Sequence, residues 1–151
     1  MTDYRIVPLE EKHVTGLAKL EMRLFPLPWS ERAFRDLLNH DYCHYLVAEQ
    51  GDKVIGFIGM TVSFHEGEID KVMVDPDCQG RGVGDALMKA LLELGAENGV
   101  SSYTLEVRVS NQPAIRLYEK HGFLGEGVRP RFYEKPTEDA LIMWKRKDRL
   151  C

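Results

Sequence analysis

The sequence predicts an α/β protein, of the α+β kind, built on a single mixed and mostly antiparallel sheet. Two observations carry this prediction. Strand-like runs cluster as an antiparallel-looking group in the first half of the chain and alternate with helical patterns in the second. That mixture argues against a doubly wound parallel sheet. The chain has 151 residues, 44% hydrophobic and 29% charged, enough for one domain, expected over 1–151, to bury a real core.

The elements follow in order. "YRIVPL" at 4–9 is strand-like, and "EEKHVTGLAKLEMRLF" at 10–25 has helical spacing. After the break "PLPW", Ser30 is a natural N-cap for "SERAFRDLLNH", because its hydroxyl can accept from an unpaired first-turn amide. Three strand-like runs come next: "HYLVAEQ", "KVIGFIGMTVSF" and "GEIDKVMV". The first two are joined by "GD", a tight hairpin signal. A helix is expected over 83–98 with Gly99 as its stop. The strand "SSYTLEVRV", a helix over 112–121 ended by Gly122, the glycine-rich "GFLGEG" and a last strand "DALIMWKR" complete the chain.

Composition narrows the function. A formal net charge of -4 gives no bulk attraction to nucleic acid or to an anionic membrane. The one dense basic stretch, "WKRKDR" at 144–149, reads as a solvated end. No apolar run approaches the roughly 18 residues that span a bilayer, and residues 1–30 lack the pattern of a secretion signal. Cys43, Cys78 and Cys151 are odd in number and share no ligand spacing, which fits reduced thiols in a cytoplasm. In "HDYCHY", His40 and His44 are four apart with Cys43 between them, a spacing that on a helix holds a metal. The segment runs directly into a strand-like run, so no metal is expected.

The stretch "VDPDCQGRGVGDALMK" places Gly80, Gly82 and Gly84 where a strand ends and a helix begins. A helix start carries unpaired amides and partial positive charge, and glycines there let the backbone approach an anion. Arg81 is a candidate charged assistant. A phosphate-binding P-loop would carry Lys and then Ser or Thr after its last glycine, whereas Asp85 follows Gly84. The dinucleotide fingerprint has a different glycine spacing. Taken alone, the loop leaves a plain turn and a phosphate site both open.

Gln79 through Gly84 fit the pattern Q/R-x-x-G-x-G/A between a strand and a helix. This resembles the pyrophosphate loop of the GNAT superfamily of acetyl-CoA-dependent N-acetyltransferases, and the order of elements is similar over nearly the whole chain. The resemblance implies a sheet splayed at an acetyl-CoA site, with helices on both faces. It also implies that the strand end Val72, Met73 and Val74 pairs with the pantetheine arm, and that Gly80, Arg81, Gly82, Val83, Gly84 and Asp85 surround the diphosphate. Asp85 departs mildly from the pattern, since an acid repels phosphate unless its side chain points away.

Further along, Glu106 stands mid-strand, where Glu is unfavoured, although a wet sheet face or a basic neighbour explains it equally well. Asn111 or Gln112 can cap the next helix, and Pro113 suits its first turn. Asn111, Ala114 and Tyr118 share one helical stripe by spacing. By pattern alone Tyr118 fills core. The strings "LEVRVSN", "AIRLYEKHGF", "PWSERAF" and "EDALIM" resemble a narrower group, the bacterial RimI-type alanine N-acetyltransferases that modify a small-subunit ribosomal protein. That resemblance implies Glu106 as proton acceptor, Tyr118 as proton donor and Asn111 at CoA. It also places Trp29, Tyr133, Glu138 and Asp139 beside an acceptor groove, with the acids attracting a protonated N-terminus. A solvated hairpin loop is the other reading of "RPRFYEKPTED".

The chemistry favours such an acceptor. An α-amine of pKa about 7.7–8.0 is roughly a tenth neutral at pH 7, while a lysine near 10.4 is below a thousandth. That gap of about 2.5 units is worth roughly 3.4 kcal/mol. Tyrosine near 10 is a weaker acid than a thiol near 8.5, so Tyr118 is expected to stabilise a leaving thiolate by hydrogen bonding at least as much as by proton transfer. Direct attack needs no acyl-enzyme, so Cys78 is not required as a nucleophile. Two other classes stay open at this stage: acetylation of a small amine, polyamine or lysine, and CoA binding without turnover.

Overall fold

The computed structural model describes residues 3–146; Lys147–Arg149 of the basic tail and Cys151 lie outside them. Seven strands form one open sheet in the order β1-β2-β3-β4-β5-β7-β6. They are β1 (Arg5–Pro8), β2 (Cys43–Gln50), β3 (Lys53–Ser63), β4 (Glu66–Val74), β5 (Ser102–Arg108), β6 (Leu124–Tyr133) and β7 (Glu138–Arg146). Every neighbouring pair is antiparallel except β4 and β5. The helices are α1 (Val14–Leu24), α2 (Glu31–Asp36), α3 (Val83–Glu97) and α4 (Gln112–Lys120). As expected, Ser30 caps α2, its hydroxyl accepting from the Ala33 amide.

Helices cover both faces, and each face has its own core. α3 and α4 contribute Leu87, Met88, Leu91, Ile115 and Tyr118 to one cluster, which also holds Ile55, Ile58 and Met60 of β3. α1 and α2 contribute Val14, Leu17, Leu20 and Phe34 to the other, with Val47, Phe57 and Met73. The amphipathic spacing of α1 and α3 produces these faces. Among the described residues no helix is long and apolar enough to cross a membrane.

The sheet splits in the middle. β4 and β5 pair only at Glu66↔Ser102, Gly67↔Tyr103 and Glu68↔Thr104. Immediately beyond, β4 carries an extra residue: Met60 faces Ile69 and Gly59 faces Lys71, so Asp70 is left over. A bulge bends its strand, and here it also reverses the side-chain alternation. Ile69, Val72 and Val74 face the α3–α4 core, whereas Met73 faces the α1–α2 core. Strict alternation from Ile69 would have put Met73 with it. From Asp70 onward β4 keeps its ladder with β3 but has none with β5.

One feature was not foreseen. β6 occupies a stretch whose Gly125, Gly127 and Pro130 argue against a strand; it is an edge strand, paired on one side only, where such residues are tolerated. The segment 40–44 is a turn entering β2, with Cys43 and His44 already on the strand, so His40 and His44 do not share a helical face.

At the β1–β2 edge, the buried His13 places Nε2 2.8 Å from Glu49 Oε2 and Nδ1 2.9 Å from the Glu10 amide. The amide donates to Nδ1, so Nε2 is the nitrogen left to carry the proton toward Glu49. Hydrogen bonds from His13 and Arg5 hold the Glu49 carboxyl at about 2, well below its ordinary 4.5. A carboxylate depressed on folding stabilises the fold above its unfolded pKa, and that stabilisation is lost as pH falls through the folded value. Thermal melts of wild type and Glu49→Gln should therefore converge as pH drops from about 4.5 toward about 2; a constant difference across that window would contradict this assignment.

Candidate active site

Two cavities meet in the split. The inner one, of about 430 Å³, is lined by β4 from Ile69 to Val72, β5 from Leu105 to Arg108, Phe25, Tyr118 and Tyr133. The other, of about 440 Å³, runs along Val72 and Val74, the glycine loop, the first turn of α3 and the Asn111 side of α4. Val72, Asn111 and Tyr118 line both. The strand segments that border the split are the ones whose ladder is missing, so main-chain groups of β4 face it without a strand partner. Such groups need hydrogen bonds from elsewhere.

The glycine loop divides its work. Gly80 and Gly82 have φ of 82° and 78°, in the left-handed region where a side chain is strained. Gly84 has ordinary helical geometry; a Cβ there would lie 3.2 Å from Leu117 Cδ2, so it is a packing glycine between α3 and α4. Gly82 caps α3, and the first amide to turn back into the helix is that of Ala86, onto Gly82 O. The amides of Val83, Gly84 and Asp85 thus point out of the helix mouth toward the second cavity. They can take an anionic diphosphate at the positive end of the macrodipole.

The Asp85 side chain turns away from that mouth to Lys120 Nζ, 3.1 Å, and His121 Nε2, 3.0 Å, at the end of α4. Burial pushes its carboxyl upward, but hydrogen bonds from His121 and Lys120 outweigh this and hold it below the ordinary range. Arg81 does not join the cavity: its guanidinium lies 3.3 Å from Asp3, and Tyr4 reaches its carbonyl. Met73 points its side chain into the α1–α2 core, leaving only its main chain to the split. Asn111 caps α4 through Oδ1 on the Ala114 amide, and its NH₂ keeps two donors for a ligand. Cys78 is buried beside the loop.

Glu106 of β5 and Tyr118 of α4 both line the inner cavity. Burial pushes the Tyr118 phenol well above its ordinary value of 10, with the Tyr133 hydroxyl adding to the effect. Burial and the Glu106 charge raise Tyr133 to about 12. Of the expected acceptor-side residues, Tyr133 lines the cavity, under the Arg108 guanidinium at 4.6 Å. Glu138 and Asp139 do not line it. Glu138 accepts from Ser110 N and Arg108, and Asp139 accepts from the Arg131 amide, fastening the three-residue excursion of β6 between Arg129 and Tyr133. These acids build the β6–β7 wall and not the cavity lining.

Sequence reasoning missed the opposite wall. Lys71 Nζ sits 2.7 and 2.9 Å from the Glu21 carboxylate oxygens and 4.3 and 4.2 Å from the ring centres of Phe25 and Trp29. Glu21 also accepts from the Trp29 amide. The pair binds the α1–α2 loop to β4, and Trp29 packs behind the groove as part of it. A signal existed: Glu21 falls seven residues after Val14, on the apolar stripe of α1, and a charge there needs a partner.

Residues 14–123 match the sequence model of the acetyltransferase (GNAT) family. The chain belongs to this family, whose members are acetyl-CoA-dependent N-acetyltransferases. It is 35% identical over 142 residues to the [ribosomal protein bS18]-alanine N-acetyltransferase of Escherichia coli K12, covering 91% of this chain and 94% of that one. It is 38% identical over 133 residues to the N-alpha-acetyltransferase RimI of Mycobacterium tuberculosis, with 83% and 82% covered. The crystal structure of the E. coli ribosomal-protein-S18-alanine N-acetyltransferase superposes with a TM-score of 0.86 at 32% identity, over 95% of this chain and 93% of that one.

Two outcomes test the site. Gly82→Ala forces alanine into left-handed geometry, a cost of about 1–2 kcal/mol, and should raise the acetyl-CoA KM while lowering Tm; unchanged kinetics would remove the loop from the site. Lys71→Met strands Glu21, whose side chain is 1% exposed, and should cost about 3–5 kcal/mol in denaturant melts. Pairing it with Glu21→Gln should recover much of that loss. No recovery would mean that the lysine acts through packing alone.

Proposed function

We propose that this chain acetylates the α-amine of a protein N-terminus, with an N-terminal alanine of ribosomal protein bS18 as the leading acceptor. The observation that carries this reading is the meeting of the two cavities at Val72, Asn111 and Tyr118: one has the amide-lined helix mouth an acyl-CoA needs, the other the carboxylate an amine needs. Relatives named for that acceptor support its identity. The reading places the reaction in the cytoplasm, where ribosomal proteins are assembled.

In this proposal the amides of Val83, Gly84 and Asp85, with Gly80 and Gly82 shaping the turn, hold the diphosphate. The unpaired β4 backbone at Val72, Met73 and Val74 holds the pantetheine arm, and the NH₂ of Asn111 donates to the same ligand. Acetyl-CoA supplies the thioester. Glu106, directly or through a water, accepts the proton from the acceptor amine as the amine attacks. The raised pKa of Tyr118 keeps its hydroxyl protonated across the working range, so it donates a hydrogen bond to the departing sulfur. With both substrates bound together, no covalent enzyme intermediate is needed.

The test is mass spectrometry on a panel of N-terminal peptides, including those that begin with alanine, beside free polyamines and lysine. Peptide acetylation is expected. Glu106→Gln and Tyr118→Phe should each lower kcat by roughly 10²–10⁴-fold under saturating acetyl-CoA. If a small amine turns over while every peptide is ignored, the acceptor assignment is wrong. If neither substitution lowers kcat, the catalytic roles are wrong.

A further inference from the structure

The reading of Glu106 as proton acceptor leaves one neighbour unexplained. Arg129, on β6, reaches across β7 and places Nε 2.7 Å from Glu106 Oε2. The oxygen is shut off from solvent, yet it makes no hydrogen bond, since the guanidinium approaches outside bonding angles. The contact is an ion pair held by charge alone. The guanidinium covers one of the two carboxylate oxygens, so it competes for the Glu106 charge with any cation that enters the cavity, while Oε1 is left to take a proton.

The arginine is built to leave. Its side chain is 56% exposed against 25% for Glu106, so withdrawing it returns the guanidinium to water at little solvation cost, while the half-buried carboxylate then needs another cation. Its backbone lies at the last paired position before the β6 excursion, on a strand bonded on one side only. The Phe132 ring, 5.4 Å from its guanidinium carbon, offers a second resting surface.

We propose that Arg129 is a resident counter-ion that competes with the acceptor's ammonium for the Glu106 carboxylate. This inference rests on the N-terminal acetyltransferase reading. Exchange of one cation for another keeps the carboxylate compensated throughout, which an incoming neutral hydroxyl or thiol does not do. The inner end of the groove therefore selects a cationic amine before any proton moves, and Arg129 sets how tightly that amine is held. Arg129 is in this sense a specificity-determining residue; it touches no reacting atom in the bound state.

The experiment is steady-state kinetics of the full chain with an alanine-initiated peptide at saturating acetyl-CoA, for wild type, Arg129→Gln, Arg129→Met and Arg129→Lys. A competitor that occupies most of the free enzyme weakens apparent affinity by the fraction it leaves open. Its removal should lower the peptide KM roughly three- to tenfold, with kcat and the acetyl-CoA KM held. The lysine variant, which keeps a cation, should stay near wild type. Having two neutral replacements guards against one that fails to fold, which circular dichroism would reveal. A kcat loss at unchanged KM, a rise in KM, or no change in the neutral variants overturns the proposal. Failure of wild type to acetylate any N-terminal peptide is a separate result, and it removes the underlying reading as well.

Discussion

The extra residue at Asp70 is the constraint on which the rest depends. Up to Glu68 and Thr104 the two central strands are ordinary parallel neighbours. One residue inserted against β3 bends β4 and flips its alternation, and Asp70 is fastened there by the Thr61 hydroxyl at 2.7 Å. The ladder to β5 ends at this point. A sheet otherwise satisfied by its own hydrogen bonds acquires a stretch of main chain whose partners must be something other than a strand. Both cavities border that opening, and Glu106, Asn111 and Tyr118 line it.

The opening persists because its walls are tied independently of each other. On one side Asp85 joins the start of α3 to the end of α4 through Lys120 and His121, while Leu117 packs on Gly84. On the other side the Glu21–Lys71 pair, between two aromatic rings, fixes the α1–α2 loop to β4. Arg108 ties the β6–β7 turn through Glu134 O, Pro136 O and Glu138. The Arg129–Glu106 contact lies wholly on the β5–β7–β6 side of the gap and does not bridge it.

This arrangement separates the two halves of an acyl transfer. The helix mouth offers fixed dipoles, which need no proton and little motion to meet an anion. The acceptor side offers a carboxylate beside a cation, and a phenol pushed by burial to stay protonated. Placing the two on opposite walls of one split lets each be set without disturbing the other.

The sequence by itself determined the local elements and the loop. Six of the seven strands, the four helices, the Ser30 cap and the glycine turn were legible because each follows from period, capping or conformational preference within a few residues. Glu106, Asn111 and Tyr118 were legible as candidates through resemblance, since their spacing alone also fits a wet sheet face and core filling. What only the tertiary structure decided is which side each group faces and what it meets. The bulge at Asp70 has no signature in "GEIDKVMV", because it is defined by the register of β3 against β4. The β6 strand was hidden because an edge strand tolerates the Gly and Pro that signal a loop elsewhere. Asp85, Glu138 and Asp139 read as free charges in the sequence, but each is held by a neighbour distant in the chain or across a hairpin. Charges act over space, and only folding supplies that distance.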